Sequence, residues 1–456
     1  MTFFLYVIVA ITVAFIDGWA PTRSGEDVVF RLGIGRIYLM EWLIYGLLAA
    51  YVLDWVIGES TKNRSTLFER TALDKPLQRF GLLLPAFAVY GLLHGNPLQE
   101  AVGYFEWRSL FLAIVFYSLL ASILNTPEKA KRLFHWFLGL CALKGGYYLF
   151  FYLSGIPYPL EQVIGAGPVD EGAENAMFIF AGLPAISLWL FRGHKRTPLQ
   201  EFAPWAALLL AANLMISAKR TIQGGLIVGL AFLFLRMPWR RVLRHAAVAA
   251  AVISVLVLVL SAASGKADTG VSASVSRFDE IGNFIETGDL FAGGGEGETL
   301  AFHLLDYVDA WNEITQRPIL GSGFGSQYER WYTTLPAVGG QLSGYNTGMV
   351  HSQYLYFWWK MGLPGLLAFG ALVLGYFRFV KSRSFALPLT ETQAVALGLY
   401  AAVWAELSMD FWGAQWIGNT KNPLVIFLGM ALTVCLLREK ASLPNTHERL
   451  PQLGKT

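Results

Sequence analysis

Apolar positions in this chain do not alternate with polar ones over long distances. They come in blocks of roughly 17–25 residues, the length needed to cross a bilayer as a helix. The stretch AAVAAAVISVLVLVLSAAS (246–264) contains no charge at all. The pattern predicts about twelve helical spans, over 3–19, 34–57, 79–95, 106–124, 132–154, 174–192, 203–217, 221–236, 243–263, 351–378, 391–411 and 423–438. The first block lacks a basic flank and a small-residue cleavage site, so it reads as the first span rather than a cleavable signal.

The connections give an orientation. TKNRSTLFERTALDKPLQR (61–79), PEKAKR (127–132), RGHKR (192–196), RMPWRRVLR (236–244) and RFVKSR (378–383) are basic, whereas HGNPLQE (94–100) and EQVIGAGPVDEGAEN (161–175) hold no Lys or Arg. Cations gather on the cytoplasmic side of membrane proteins, so the basic loops and both termini are expected there. One short outer connection, ISAKRTIQ (216–223), breaks the rule by carrying Lys219 and Arg220. Two readings stand side by side: a cation pair snorkelling at a helix end, or a pair kept for binding.

One long connection, about 264–350, falls outside. Within it ETLAFHLLDYVDAWNEITQRP (298–318) has helical periodicity. Leu300, Leu304, Tyr307, Val308, Trp311 and Ile314 form an apolar face; Glu298, Asp306, Asp309 and Glu313 lie on the others, and Pro318 ends the helix. SVSRFDEIGNFIE (274–286) reads as a second short amphipathic helix, AGGGEGE as a flexible connection and PILGSGFGSQYERW (318–331) as a glycine-bearing turn. The chain thus divides into N-terminal spans (1–263), an outer loop (264–350), C-terminal spans (351–438) and a cytoplasmic tail (439–456), with no internal repeat.

Composition agrees. The 456 residues are 55% hydrophobic, 14% aromatic and only 15% charged, where a soluble protein has about a quarter charged. This is an all-α polytopic membrane protein. A net charge of +3, segregated by side rather than pooled in a patch, gives no reason to expect nucleic acid. The two cysteines, Cys141 and Cys435, fall inside spans, which leaves a disulfide framework or thiolate metal site without support. The outer-facing carboxylates are scattered, so no metal and no cofactor are expected.

A charge within a span costs commonly about 2.5–3.5 kcal/mol on insertion scales, so each one asks for a partner or a task. Those near outer span ends are Arg36, Glu41, Glu106, Arg108, Lys144, Lys219, Arg220, His351, Glu406 and Asp410. Arg36–Glu41 and Glu106–Arg108 also suit local salt bridges, Lys144 a buried acidic partner and His351 an interfacial bond to a loop carbonyl. The alternative is a substrate with concentrated negative charge. Pyrophosphate takes bidentate bonds from Arg, and if it joins a glycan to a lipid it lies at the surface where these side chains are. A neutral imidazole beside it is placed to take a proton from an attacking hydroxyl.

The run His351-Ser352, nine further residues, then GLPG (362–365) resembles a motif of the O-antigen ligase and polysaccharide polymerase superfamily. SAKRT (217–221) is similar to that family's Ser-x-Arg turn, and WNEITQRPILGSGFG (311–325) to its helix followed by Pro-x-x-Gly-x-Gly. The resemblance implies a GT-C-like, metal-independent glycosyltransferase of the bacterial inner membrane. Such enzymes move a glycan from undecaprenyl pyrophosphate to an acceptor hydroxyl, on a glycan or a lipid-linked sugar, in the periplasm. It implies His351 as the catalytic residue and Arg220, with Lys219, as pyrophosphate ligand. The family's second arginine is absent: about fifteen residues before Pro318 stands His303, a poorer phosphate clamp than guanidinium. The role falls to His303 or Arg277. Arg108, Lys144 and Asp410 complete the expected binding set. Readings from other classes are a twelve-span secondary transporter, which would favour midplane charges and paired broken helices, and a non-catalytic envelope-assembly protein.

Overall fold

The computed structural model describes residues 1–15, 39–57, 67–68, 71–154, 172–191, 197–216, 220–237, 243, 297–333, 342–348, 350–383, 385, 389–411 and 422–438. In chain order these form α1 (Thr2–Phe15), α2 (Leu39–Ile57), α3 (Asp74–Leu93) and a short α4 (Leu98–Ala101). A π-helical turn (Tyr104–Arg108) leads into α5 (Ser109–Ile123). Then come α6 (Pro127–Ser154), α7 (Gly172–Leu190), α8 (Pro198–Ile216), α9 (Arg220–Phe234), α10 (Gly297–Gln316), β1 (Tyr328–Thr333), β2 (Leu342–Thr347), α11 (Gln353–Lys381), α12 (Glu391–Met409) and α13 (Asn422–Leu436).

Four helical stretches among the described residues are long and apolar enough to cross a membrane: Leu39–Ile57, Asp74–Leu93, Leu98–Ile123 and Gln353–Lys381. Shorter apolar helices lie at Thr2–Val13, Ala176–Leu190, Thr221–Phe234 and Asn422–Leu436. The protein is therefore a helical membrane protein. Of the spans read from the sequence, the ninth (243–263) lies outside the described residues apart from Leu243, as does the whole short helix expected at 274–286; the others fall on helices.

The core is built where α12 packs on α7 and α9, α7 on α8, and α13 on α5 and α12. Small residues let these backbones approach, the usual means of helix association where lipid supplies no hydrophobic drive. A Cβ at Gly225 would lie 2.6 Å from Met409 Cγ, one at Gly229 3.3 Å from the Ala401 carbonyl oxygen, and one at Gly398 2.2 Å from Pro184 Cα.

Helix α11 carries the feature that organises the rest. It begins after Ser352, an extended residue at φ −144°, and is broken inside by Gly362 at φ 60°, ψ −161°. Two residues on, Pro364 has no N–H, so the Lys360 carbonyl loses its helical donor. The glycine-bearing turn after α10 repairs the break. Ser322 N donates to Trp359 O (2.7 Å), Gly323 N to Lys360 O (2.9 Å), and Leu363 N donates back to Ile319 O (3.0 Å). A freed backbone group in a membrane helix must be satisfied by protein, and here another segment's turn does it. Space forces glycine: a Cβ at Gly362 would be 2.1 Å from Ile319 O, and one at Gly323, where φ is 78°, would be 2.4 Å from Gly91 Cα.

The same turn is tied to α3 and the α3–α4 connection. Phe324 N donates to Phe87 O (3.2 Å), and Asn96 Nδ2 to the carbonyls of Ser322 (2.9 Å) and Phe324 (3.0 Å). Beyond it the chain forms an antiparallel hairpin, β1 with β2, pairing Tyr328 with Thr347 and Thr333 with Leu342. The hairpin was not foreseen from the sequence.

Helix α10 is present as expected, but its apolar face does not turn inward as a unit. Ile314 and Ala310 are buried, whereas Leu304, Val308 and Trp311 are exposed, and the fully buried polar residue is Asp306. The helix is rolled so that Asp306 meets α11, a carboxylate with several donors outweighing the apolar stripe.

Alanine at Gly323 is expected to destabilise the protein by at least about 1–2 kcal/mol from the left-handed backbone alone, plus the overlap with Gly91. Alanine at Gly46, in α2 with open space around its Cα, is expected to be neutral or slightly stabilising. Thermal melts of the detergent-purified variants read both; equal melting for Gly323→Ala and wild type would refute the joint.

Candidate functional site

At the start of α11 the His351 ring lies over α10. Its Nδ1 is 2.9 Å from Asp306 Oδ2, and its backbone N–H donates to the same oxygen at 2.6 Å. The other oxygen, Oδ1, accepts from the Tyr328 hydroxyl of β1. Asp306 is fully buried while the His351 side chain is 36% exposed. A carboxylate accepting at Nδ1 favours the tautomer that carries its proton on that nitrogen. Nε2 is then the basic nitrogen. The geometry is that of an imidazole held in one tautomer by a carboxylate.

A tyrosine closes the other side. The Tyr307 hydroxyl is shared between the carbonyl oxygens of His351 (3.0 Å) and Phe411. Burial, and then the neighbouring Asp306 carboxylate, push this phenol well above its ordinary range, so it remains a donor at any physiological pH. Through Phe411 it joins the end of α12 to the start of α11. Gln353 N donates to the Asp410 carbonyl (3.0 Å), which places fully buried Asp410 two residues from the histidine.

Arg220 begins α9, and its side chain lies outside the described residues, as does all of Lys219. The backbone still locates it. Gly225 lies against Met409 and Ala405, and Gly229 against Ala401, so α9 and α12 run antiparallel, in step. Five residues before Gly225, the start of α9 is level with Asp410. His351, Asp306, Asp410 and the Arg220 backbone therefore share one end of the bundle. Glu406, one turn before Asp410, is fully buried, and its carboxyl oxygens have no hydrogen-bond partner among the described residues.

The other expected residues go elsewhere. Arg108 in the π-helical turn donates from Nη2 to both carboxylate oxygens of Glu41 in α2 (2.7 and 2.8 Å) and from Nη1 to Val102 O. Lys144, buried in α6, donates to Val13 O (3.1 Å) and lies 5.5 Å from the Tyr148 ring centre. His303 is in α10, one turn before Asp306, with its side chain outside the described residues; Arg277 and Arg36 lie wholly outside them. The local pairing of Glu106 with Arg108 is not what forms. Arg108 takes Glu41, and Glu106 takes Lys360 of α11 at 3.1 Å, because neighbours in a tight turn diverge whereas these partners face each other across helices.

Two residues were missed from the sequence. Asp306 looked like one more solvated acid on a loop helix; the apolar periodicity hid it, and only its contact with His351 reveals it. Lys360 had a visible signal, a lysine within FWWKMG, two residues before the break. Fully buried, it donates to Glu106 (3.1 Å) and to Ser326 O (2.6 Å) and lies 4.0 Å from the Trp359 ring centre. Glu106 also accepts from Tyr356 (2.8 Å). This network anchors the far side of the glycine turn.

Residues 205–370 match the family model of the O-antigen ligases. The matched stretch contains Arg220, Asp306, the glycine turn, His351 and the break at Gly362, so the resemblance carried by the three sequence motifs is shown there. No curated protein matches the chain.

Lys360→Met leaves the Glu106 carboxylate buried without its cation, a loss expected to cost about 3–5 kcal/mol. Adding Glu106→Gln should recover much of it, since the pair is then replaced rather than broken. Melting temperatures of both single variants and the double variant test this; additive losses would show that the ion pair does not couple the two segments.

Proposed function

We propose that this protein is a membrane glycosyltransferase that moves a glycan from undecaprenyl pyrophosphate to an acceptor hydroxyl on the periplasmic face. The observation that carries the reading is a part-exposed imidazole, fixed by a buried carboxylate, at the head of a membrane helix within the O-antigen ligase match. The proposed setting is the bacterial inner membrane, with about twelve spans, both termini in the cytoplasm and residues 264–350 outside.

In the reaction, Nε2 of His351 accepts the proton of the acceptor hydroxyl as its oxygen attacks the anomeric carbon. The new glycosidic C–O bond forms as the bond to the pyrophosphate oxygen breaks. The electron pair leaves on the lipid pyrophosphate. Asp306 stabilises the imidazolium and holds the ring in its working tautomer. Arg220 and Lys219 take the negative charge of the leaving group, with His303 or Arg277 as the second basic ligand. No metal is needed in this scheme, because the guanidinium supplies the neutralising charge. The acceptor is a lipid-linked repeat for a polymerase or a terminal core sugar for a ligase.

His351→Ala is expected to abolish surface glycan while membrane-protein level stays normal, since general base catalysis contributes about 10²–10⁴-fold. Asp306→Asn should lower the rate by a comparable factor without abolishing binding of lipid-linked glycan, because the amide presents N–H to Nδ1 and favours the wrong tautomer. The measurement is surface polysaccharide and protein level in the same complemented strain. Normal polysaccharide from His351→Ala would favour a transporter or scaffold over an enzyme.

Arg220→Lys is expected to lose most activity although charge is kept, because an ammonium cannot make the two-pronged phosphate contact of a guanidinium. A cation that merely snorkels would tolerate Lys. Full glycan assembly by the Arg220→Lys strain would therefore remove Arg220 from the donor site.

A further inference from the structure

At the opposite end of α11, about 40 Å along the helix from His351 by its rise per residue, lies a cavity of about 570 Å³. Three arginines line it. Arg378 comes from the last turn of α11, Arg383 from just beyond it, and Arg438 from just beyond α13. Ala72, Phe379 and Val434 add apolar atoms to the wall and Thr71 and Ser382 add hydroxyls, and among the described residues no Asp or Glu lines it. Asp74, the acid at the start of α3, is engaged by Thr71, whose N–H and hydroxyl donate to it at 2.9 and 2.6 Å.

The arginines are brought together by packing. Gly375 of α11 packs against the start of α3, where a Cβ would be in ordinary contact with Pro76 at 3.4 Å. The Arg383 guanidinium lies 5.1 Å from the Phe379 ring centre, and Arg438 donates to Ala121 O at 3.4 Å. Side chains held by a ring and a carbonyl gather positive charge round one space. Cation enrichment of cytoplasmic loops explains arginines at this end; it does not explain three of them round a single cavity with an apolar wall.

We propose that this cavity is a binding site for a phosphate-bearing anion, either the headgroup of an anionic phospholipid or free phosphate. Guanidiniums match phosphate oxygens in charge and geometry, and basic pockets between membrane helices take anionic headgroups. The apolar wall of Phe379, Val434 and Ala72 offers a place for the glycerol and first methylenes of a lipid. The site is separate from the transfer site and does not depend on that reading.

The test uses the full chain purified in a neutral detergent, with dioleoylphosphatidylglycerol, dioleoylphosphatidylcholine or inorganic phosphate added separately. The readouts are lipid retained per protein by native mass spectrometry and the thermal midpoint. Phosphatidylglycerol is expected to be retained and to raise the midpoint, and phosphatidylcholine to do neither. Arg378→Gln, an exposed position expected to fold normally, should weaken retention about fivefold, and Arg378→Gln with Arg383→Gln about twenty-five-fold. Arg79→Gln, an exposed arginine of α3 outside the cavity, should change nothing. A midpoint rise with inorganic phosphate alone, lost in Arg378→Gln, assigns the site to free phosphate. Equal behaviour of the two lipids without any phosphate effect overturns the proposal, as does an Arg378→Gln variant that matches Arg79→Gln in both lipid retention and phosphate response.

Discussion

The break in α11 is the constraint on which the rest depends. A membrane helix that loses backbone hydrogen bonds inside a bilayer incurs several kcal/mol per unsatisfied group. Gly362 and Pro364 create such a loss, and the turn at Ile319–Gly323 removes it with three backbone bonds of 2.7–3.0 Å. Neither half is stable in its conformation alone. A turn with Gly321, Gly323 and Gly325 all at positive φ is an unfavourable ordering of chain unless it docks, and a broken helix needs a cap. The two motifs, separated by a hairpin in the sequence, are one joint in space.

That joint fixes where α10 must be, and α10 in turn supplies Asp306. Between Asp306 and the glycine turn the helix has about three turns, a rigid spacer rather than a loose loop. Clamping its C-terminal end against α11 at Gly362 therefore holds its middle against α11 at His351. The Lys360–Glu106 pair, beneath the turn, does the same from the side of α3 and the π-helical turn. The role proposed for His351 requires its imidazole to be held within fractions of an ångström, and the contacts that hold it run through the membrane helix itself. The breaks in helical rhythm at 362–365 and the histidine at 351 belong to one device.

What could be read from the sequence follows the strength of the signal. Long apolar blocks gave the helices, because in lipid the backbone has few other choices, and the ends of α11, α12 and α13 fell within a few residues of the apolar runs. His351 and the two glycine motifs were visible because glycine at fixed spacing marks backbone geometry. The ion pairs were not visible. Glu106 and Arg108 are two apart in sequence, yet each pairs across helices, with Lys360 and Glu41, and a linear pattern holds no record of which helices touch. The roll of α10 was not legible for a related reason: periodicity gathers Leu304, Val308 and Trp311 on one face, but a single buried carboxylate meeting a backbone N–H, an imidazole and a phenol sets the orientation. The β1–β2 hairpin escaped because its strands are short, and YERWYT and LSGYNT lack a clean alternation.

The roll of α10 also carries a consequence for the chemistry. If Leu304, Val308 and Trp311 had been buried, Asp306 would have faced water. A carboxylate there would be free to rotate and poorly placed to choose a tautomer. Turning it inward exposes apolar surface, which in water costs roughly 25 cal/mol for each Å². Where that surface meets lipid, as the proposed topology would have it, the exposure costs less than it would in water. Such a setting permits the arrangement in which α10 offers its acid to the head of a membrane helix, where the His351 imidazole meets it.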